Sequence, residues 1–283
     1  MVPSFLVLAD LSAVSERAAR CAAVLGTPLG THLNVLHFYH DPVLELELAA
    51  VTLAQLDRNQ ADVTAALREM ARHLPAPADV TVSVEPMPAA VEEAVRRQQP
   101  LLLAMGLSTE HNLLDWLLHN QVLPILRATH WPLLLVPEAA PTCSQVPRRV
   151  LLALDAEPFT PSAAARRLVP LLRAWKSAYT VAYITACDDD KSERISRLPL
   201  ADMRASALLP PDAPLLRYQE ANSSPAAGIL QALDDTQADL LVLIARPRSF
   251  LARRFHSSVT AQVLRDSRVP VLLLPADAPV MPG

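Results

Sequence analysis

Two stretches of this chain repeat one another at a fixed distance. Residues 122–137 read VLPILRATHWPLLLVP and residues 260–275 read TAQVLRDSRVPVLLLP. At an offset of 138, six of the 16 positions are identical: Leu126/Leu264, Arg127/Arg265, Pro132/Pro270, Leu134/Leu272, Leu135/Leu273 and Pro137/Pro275. The starts of the halves correspond too. Phe5-Leu-Val-Leu-Ala-Asp10 and Val150-Leu-Leu-Ala-Leu-Asp155 are both apolar runs ending in aspartate. A period near 140 is too long for a solenoid and suits two tandem domains. The length of 283 residues agrees, at roughly 100–200 residues per domain. The expected domains are 1–140 and 148–283. The stretch 139–147, small, polar and proline-bearing, reads as the linker.

Within each half, short apolar runs alternate with helical patterns. The first half predicts strands at 5–9, 32–39, 80–85, 101–105 and 132–136, with helices near 13–25, 50–73, 88–98 and 113–128. The second predicts strands near 149–154, 178–185, 214–218, 239–244 and 269–274, with helices near 161–175, 224–235 and 256–267. Residues 186–212 read as loop where the first half has its long second helix. Unbroken runs such as Leu101-Leu-Leu-Ala and Leu240-Leu-Val-Leu-Ile suit parallel strands covered on both faces. The fold class expected is therefore α/β, two doubly wound five-stranded domains packed as a pseudo-dimer.

Composition narrows the function. Hydrophobic residues are 51% and charged ones 19%, enough apolar material for two cores and unlike a disordered chain. Five glycines stand against 26 prolines, and no two glycines are closer than Gly26 and Gly30, which excludes Walker A and GxGxxG loops. The first 140 residues carry eight arginines against fifteen acids, a net of −7; the remainder carries 17 basic against 14 acidic residues, a net of +3. Opposite signs favour docking of the halves, and neither suggests nucleic-acid binding. No apolar run is long enough to span a membrane. The N-terminus reads as a first strand, not a secretion signal. The three cysteines, Cys21, Cys143 and Cys187, are odd in number and far apart, which predicts free thiols and a cytoplasmic protein.

The aspartate of strand 1 followed by Leu11-Ser-Ala-Val-Ser-Glu16 resembles the universal stress protein family in its tandem form. So does the ending Ala238-Asp-Leu-Leu-Val-Leu, loop, helix, then Val263-Leu-Arg-Asp-Ser-Arg-Val-Pro-Val-Leu-Leu-Leu. The resemblance covers nearly the whole chain. It implies that Asp10 and Asp155 face an adenosine moiety, with Phe38 on strand 2 near the adenine. It also implies pairing of the halves through their last strands. ATP-binding members carry G-x2-G-x9-G-[S/T] after strand 4, whose N–H groups and following helix cradle phosphate. Here those positions read Gly106, Thr109, His119 and Asn120 in the first half, and Ile244, Pro247, Ser257 and Ser258 in the second. Only Gly106 and Ser258 fit. Proline offers no N–H, and a Cβ at His119 or Ser257 obstructs backbone approach to a phosphate.

Other polar residues have plainer readings. Asp10 and Asp155 can each simply turn the chain into the next helix. His37, His40 and Asp41 do not make a metal site, since strand residues three apart face opposite sides. Arg246, Arg248, Arg253 and Arg254 crowd the second half's would-be phosphate loop. They predict an anion site, or a grip on an acidic partner or on the acidic first half. No nucleophile–base motif is present. The expectation is a non-enzymatic stress-response protein with degenerate nucleotide loops, no cofactor and no metal. It would act through an unknown protein partner, with a homodimer also possible. The alternative is an adenine-nucleotide sensor holding ATP in the first half through Asp10, Met105, Gly106 and Asn120. A nucleotide-dependent enzyme of the wider α/β group is the third class, and it would need a phosphate loop.

Overall fold

The computed structural model describes residues 2–38, 53–108, 121–155, 159–185, 208–222, 224–246 and 259–277. The first half runs β1 (Ser4–Leu8), α1 (Ala13–Gly26), β2 (His32–Phe38), α2 (Leu53–Arg72), β3 (Ala78–Ser83), α3 (Met87–Gln98), β4 (Leu102–Leu107), α4 (Leu123–Thr129) and β5 (Leu133–Pro137). The second runs β6 (Arg149–Leu154), β7 (Thr160–Pro161), α5 (Ala163–Arg166), α6 (Val169–Trp175), β8 (Ala178–Thr185), β9 (Leu215–Ala221), α7 (Pro225–Thr236), β10 (Leu240–Ala245), α8 (Val259–Asp266) and β11 (Val271–Asp277). All ten expected strands are present, and β7 is added. The expected helix at 161–175 is divided. Pro170 has no N–H to give the preceding turn, and two short helices result. The loop reading of 186–212 lies almost entirely outside the described residues.

The strands form one 11-stranded sheet whose main path is β3-β2-β1-β4-β5-β11-β10-β6-β8-β9, with β7 beside β11. Every pairing within a half along that path is parallel. The halves join antiparallel through β5 and β11, as Leu133↔Leu273, Leu134↔Leu272 and Leu135↔Val271. Pairing covers two edges that would otherwise present open backbone. Residues on β1 alternate between two cores. Leu6 and Leu8 belong to the core that includes residues of α3, α4, α7 and α8, while Phe5 and Val7 belong to the one that includes residues of α1, α2, α5 and α6. Each core runs unbroken through both halves, as strands buried on both faces require.

Side chains stitch the same seam. Trp175 donates Nε1–H to the Leu25 carbonyl at 2.8 Å. Arg167 donates to the backbone and side-chain oxygens of Gln99, at 2.7 and 3.0 Å, and lies 5.6 Å over the Trp131 ring.

The free-thiol expectation is corrected for two cysteines. Cys21 and Cys143 form a disulfide across 122 residues, with their Cα atoms 5.0 Å apart. Spacing could not show it. The pair meets only because α1 lies against β4 and β5 and the chain leaves β5 alongside it. Cys187 lies outside the described residues. No helix among the described residues is long and apolar enough to cross a membrane.

Candidate functional site

In an open α/β sheet a ligand sits beyond the carboxyl ends of the strands, where the strand order reverses. That point falls between β1 and β4 in the first half and between β6 and β10 in the second. The two crevices are built differently.

In the first, Asp10 follows β1 and opens α1. Its Oδ1 accepts from the Ser12 N–H at 2.8 Å, its own N–H donates to Ser15 Oγ at 2.9 Å, and Ser12 Oγ caps the helix by accepting from the Ser15 N–H at 3.2 Å. The carboxylate is thus a turn-former that stays exposed at the crevice mouth. His37 sits beside it, its Nδ1 2.8 Å from the Ala9 carbonyl oxygen. Phe38 is half-buried against the core on the α3 side. Met105 is buried in that same core. A Cβ on Gly106 would come within 2.7 Å of Val14 Cγ1 and 2.8 Å of the Val14 backbone. Gly106 is therefore needed for the close approach of α1, whatever else it does. Asn120 lies outside the described residues, as do Thr109 and His119.

In the second crevice Ile244 stands at the place of Gly106, and the chain compensates. Two residues separate Asp10 from Ala13 at the start of α1, but seven separate Asp155 from Ala163 at the start of α5. The extra residues include β7, which pairs Pro161 with Ala276 and Thr160 with Asp277. Ser162 caps α5 as Ser12 caps α1, its Oγ accepting from the Ala165 N–H at 3.1 Å. Set back from the start of its helix, Asp155 meets Arg246. Arg246 Nε donates to Asp155 Oδ2 at 3.0 Å, and Nη2 donates to Oδ1 in the second tine of a fork. The arginine side chain is only 13% exposed and the carboxylate 58%. One residue stands at the end of β6 and the other just past β10, so the fork spans the switch point itself. At the place of Arg246 the first half has Ser108, whose hydroxyl reaches Glu138 Oε2 at 3.5 Å.

The sequence singled out both Asp155 and Arg246 but did not join them. Their positions at the ends of neighbouring strands were the signal that could have done so. Arg248, Arg253, Arg254, Ser258, Pro247 and Ser257 lie outside the described residues, as do His40 and Asp41. Among the described residues no cluster of His, Cys, Asp and Glu is built to hold a metal ion.

The universal stress protein family model matches residues 1–137 and again 147–275. The chain belongs to the universal stress protein family. Its two family domains lie in tandem, each contributing a mostly parallel α/β sheet. Solved structures share this architecture. A universal stress protein from Archaeoglobus fulgidus superposes with a TM-score of 0.65 at 17% identity, over 96% of each chain. A functionally unknown protein from Pseudomonas aeruginosa PAO1 gives 0.52 at 15%, over 98% of this chain and 93% of that one. The cytoplasmic domain of a prokaryotic cation chloride cotransporter gives 0.50 at 10%, over 97% and 95%. At such identities the likeness shows the fold. No curated protein matches the sequence.

Proposed function

We propose that this universal stress protein acts without catalysis, as a cytoplasmic stress-response protein working through contacts with other proteins. Family membership supports the stress-response role. The observation that carries the rest is the Arg246–Asp155 fork. The second domain fills its own switch point with a guanidinium, so the aspartate that would receive an adenosine already has a cationic partner. Arg246 is thereby read as an internal plug rather than part of an anion-binding surface. Proline at 247 adds to this, since it removes a donor from the loop that would hold phosphate.

A second reading rests on the difference between the crevices. Asp10 is exposed and its partners among the described residues are backbone N–H and a serine hydroxyl. In this reading the first domain is the place for an adenine nucleotide, with Asp10 at the mouth of its crevice.

The deciding experiment is the melting temperature with and without excess ATP and Mg²⁺, together with nucleotide analysis of the denatured protein. Ligand at about 100 times its Kd stabilises by roughly 2.7 kcal/mol, and each kcal/mol moves Tm by about 2–4 °C in a chain of this size. The expected result is no shift and no co-purified nucleotide. A shift that Asp10→Ala abolishes and Arg246→Ala leaves intact would establish the sensor reading instead.

A further inference from the structure

We propose that the Cys21–Cys143 disulfide is a thiol–disulfide exchange site that fastens the interdomain linker to the first domain, and that a dithiol reductant opens it by attack at Cys143. The two sulfurs are unequally placed. Cys21 lies on α1 with no exposed surface, among Ala18, Ala22 and Leu25. Cys143 is half-buried on a stretch without regular structure, between the exposed Thr142 and Ser144. An incoming thiolate therefore reaches Cys143 Sγ and not Cys21.

The bond also holds what little else holds. Before it, Arg17 Nη1 donates to the Ala140 carbonyl at 2.7 Å; after it, Ser177 Oγ donates to the Pro147 carbonyl at 2.6 Å. Between those anchors Cys143 and Val146 pack against the core on the α1 side, and the disulfide is the one covalent tie. This same stretch walls a cavity of about 780 Å³ at the amino ends of the second domain's strands, opposite the switch points. Leu25, the end of α7 at Gln237, Arg149 and Arg268 are among the residues that line the rest of it. Breaking the bond frees one wall of that cavity and loosens the joint between the domains.

The chemistry balances as follows. A thiolate of the reductant attacks Cys143 Sγ and forms a mixed disulfide. The Sγ–Sγ bond breaks, and its electron pair leaves with Cys21 Sγ, which takes a proton from solvent. The second thiol of the reductant, once deprotonated, then attacks its own sulfur in the mixed disulfide. Cys143 is released as a thiolate and takes a proton, and the reductant closes as a cyclic disulfide. The protein gains two electrons and two protons, and the dithiol loses them. Leaving a thiolate in an apolar interior is costly, so opening is slow.

The test uses the full chain with Cys187→Ser, oxidised with glutathione disulfide or reduced with dithiothreitol under nitrogen. Peptide mapping without reductant is expected to show the Cys21 and Cys143 peptides joined, and reduction to expose two alkylatable thiols. Proteinase K is expected to cut within residues 141–147 about tenfold faster after reduction, since cleavage tracks the open population. Adding Cys143→Ser should give the fast rate in both redox states. Alkylation of both cysteines in the oxidised protein would overturn the proposal. So would a mapped bond with equal cutting rates, or a Cys143→Ser chain cut as slowly as the oxidised parent. None of these readouts depends on whether a nucleotide binds.

Discussion

Lys176 closes α6 at φ 54°, a left-handed position that helices commonly give to glycine. With so few glycines in the chain, Gln99, His130 and Gln237 fill the same position after α3, α4 and α7, at φ 47°, 51° and 50°. Each side chain there meets its own backbone, a cost glycine avoids. Lys176 is exposed, so Lys176→Gly is expected to raise stability by about 0.5–1 kcal/mol, read from the urea midpoint at unchanged slope. Gly106 is the opposite case. A Cβ there collides with the Val14 backbone at 2.8 Å, which cannot swing aside as a side-chain end can. Gly106→Ala is expected to cost about 1–3 kcal/mol, in the same titration, with or without nucleotide present. The sequence made Gly106 visible as the survivor of a phosphate motif. It could not show that helix packing already demands glycine there, because Val14 and Gly106 become neighbours only once β1 and β4 pair.

Strand β9 is a sheet edge, and Tyr218 ties it to α7. Its hydroxyl lies 2.6 Å from both Glu220 Oε2 and Asp235 Oδ2, while Gln231 donates to Asp235 Oδ1 at 2.8 Å. Loss of solvent, and then the two carboxylates, push the phenol well above its ordinary value. The Tyr218 hydroxyl, followed by Gln231, holds Asp235 below the usual carboxylate range. A raised phenol stabilises fully below the unfolded tyrosine value and loses that contribution as pH rises through the folded one. A lowered carboxyl stabilises above its unfolded value and loses the contribution as pH falls through the folded one. The Tm deficit of Tyr218→Phe should therefore be widest between about pH 5 and 9 and shrink toward both extremes, past about pH 4 and pH 10. A deficit flat with pH would sink this account. Elements with strong local signatures were legible in advance. The Leu/Val strands and α1, with its Ser12 cap, lie within a few residues of where their patterns put them. What stayed hidden has no local signature. Strand β7 is two residues long, one of them a proline, and forms only because β11 runs past it. The cysteine pair and the Arg246–Asp155 fork join positions 122 and 91 residues apart.

The repeat offset read from the sequence reappears as the register of the seam. Leu134 and Leu272, equivalent at 138, lie opposite one another, and their neighbours exchange partners as Leu133↔Leu273 and Leu135↔Val271. That is the pairing of a two-fold isologous interface, in which residue i meets j and j meets i. A duplicated strand can thus pair with its own copy inside one chain. The two cores then need no boundary at the seam. Leu135 and Val271 share one, Leu134 and Leu272 the other, and each continues into the helices of both halves. Domains joined only by a linker and a small polar interface unfold separately, whereas a shared sheet with shared cores denies either half a folded state of its own. Calorimetry of the full chain should therefore show a single transition, with the calorimetric enthalpy equal to the van't Hoff enthalpy. Leu134→Lys, which places a charge at the centre of the seam, should lower that transition as a whole. Two resolved transitions in the unaltered protein would mean that strand pairing at the seam is too weak to couple the halves, however continuous the sheet.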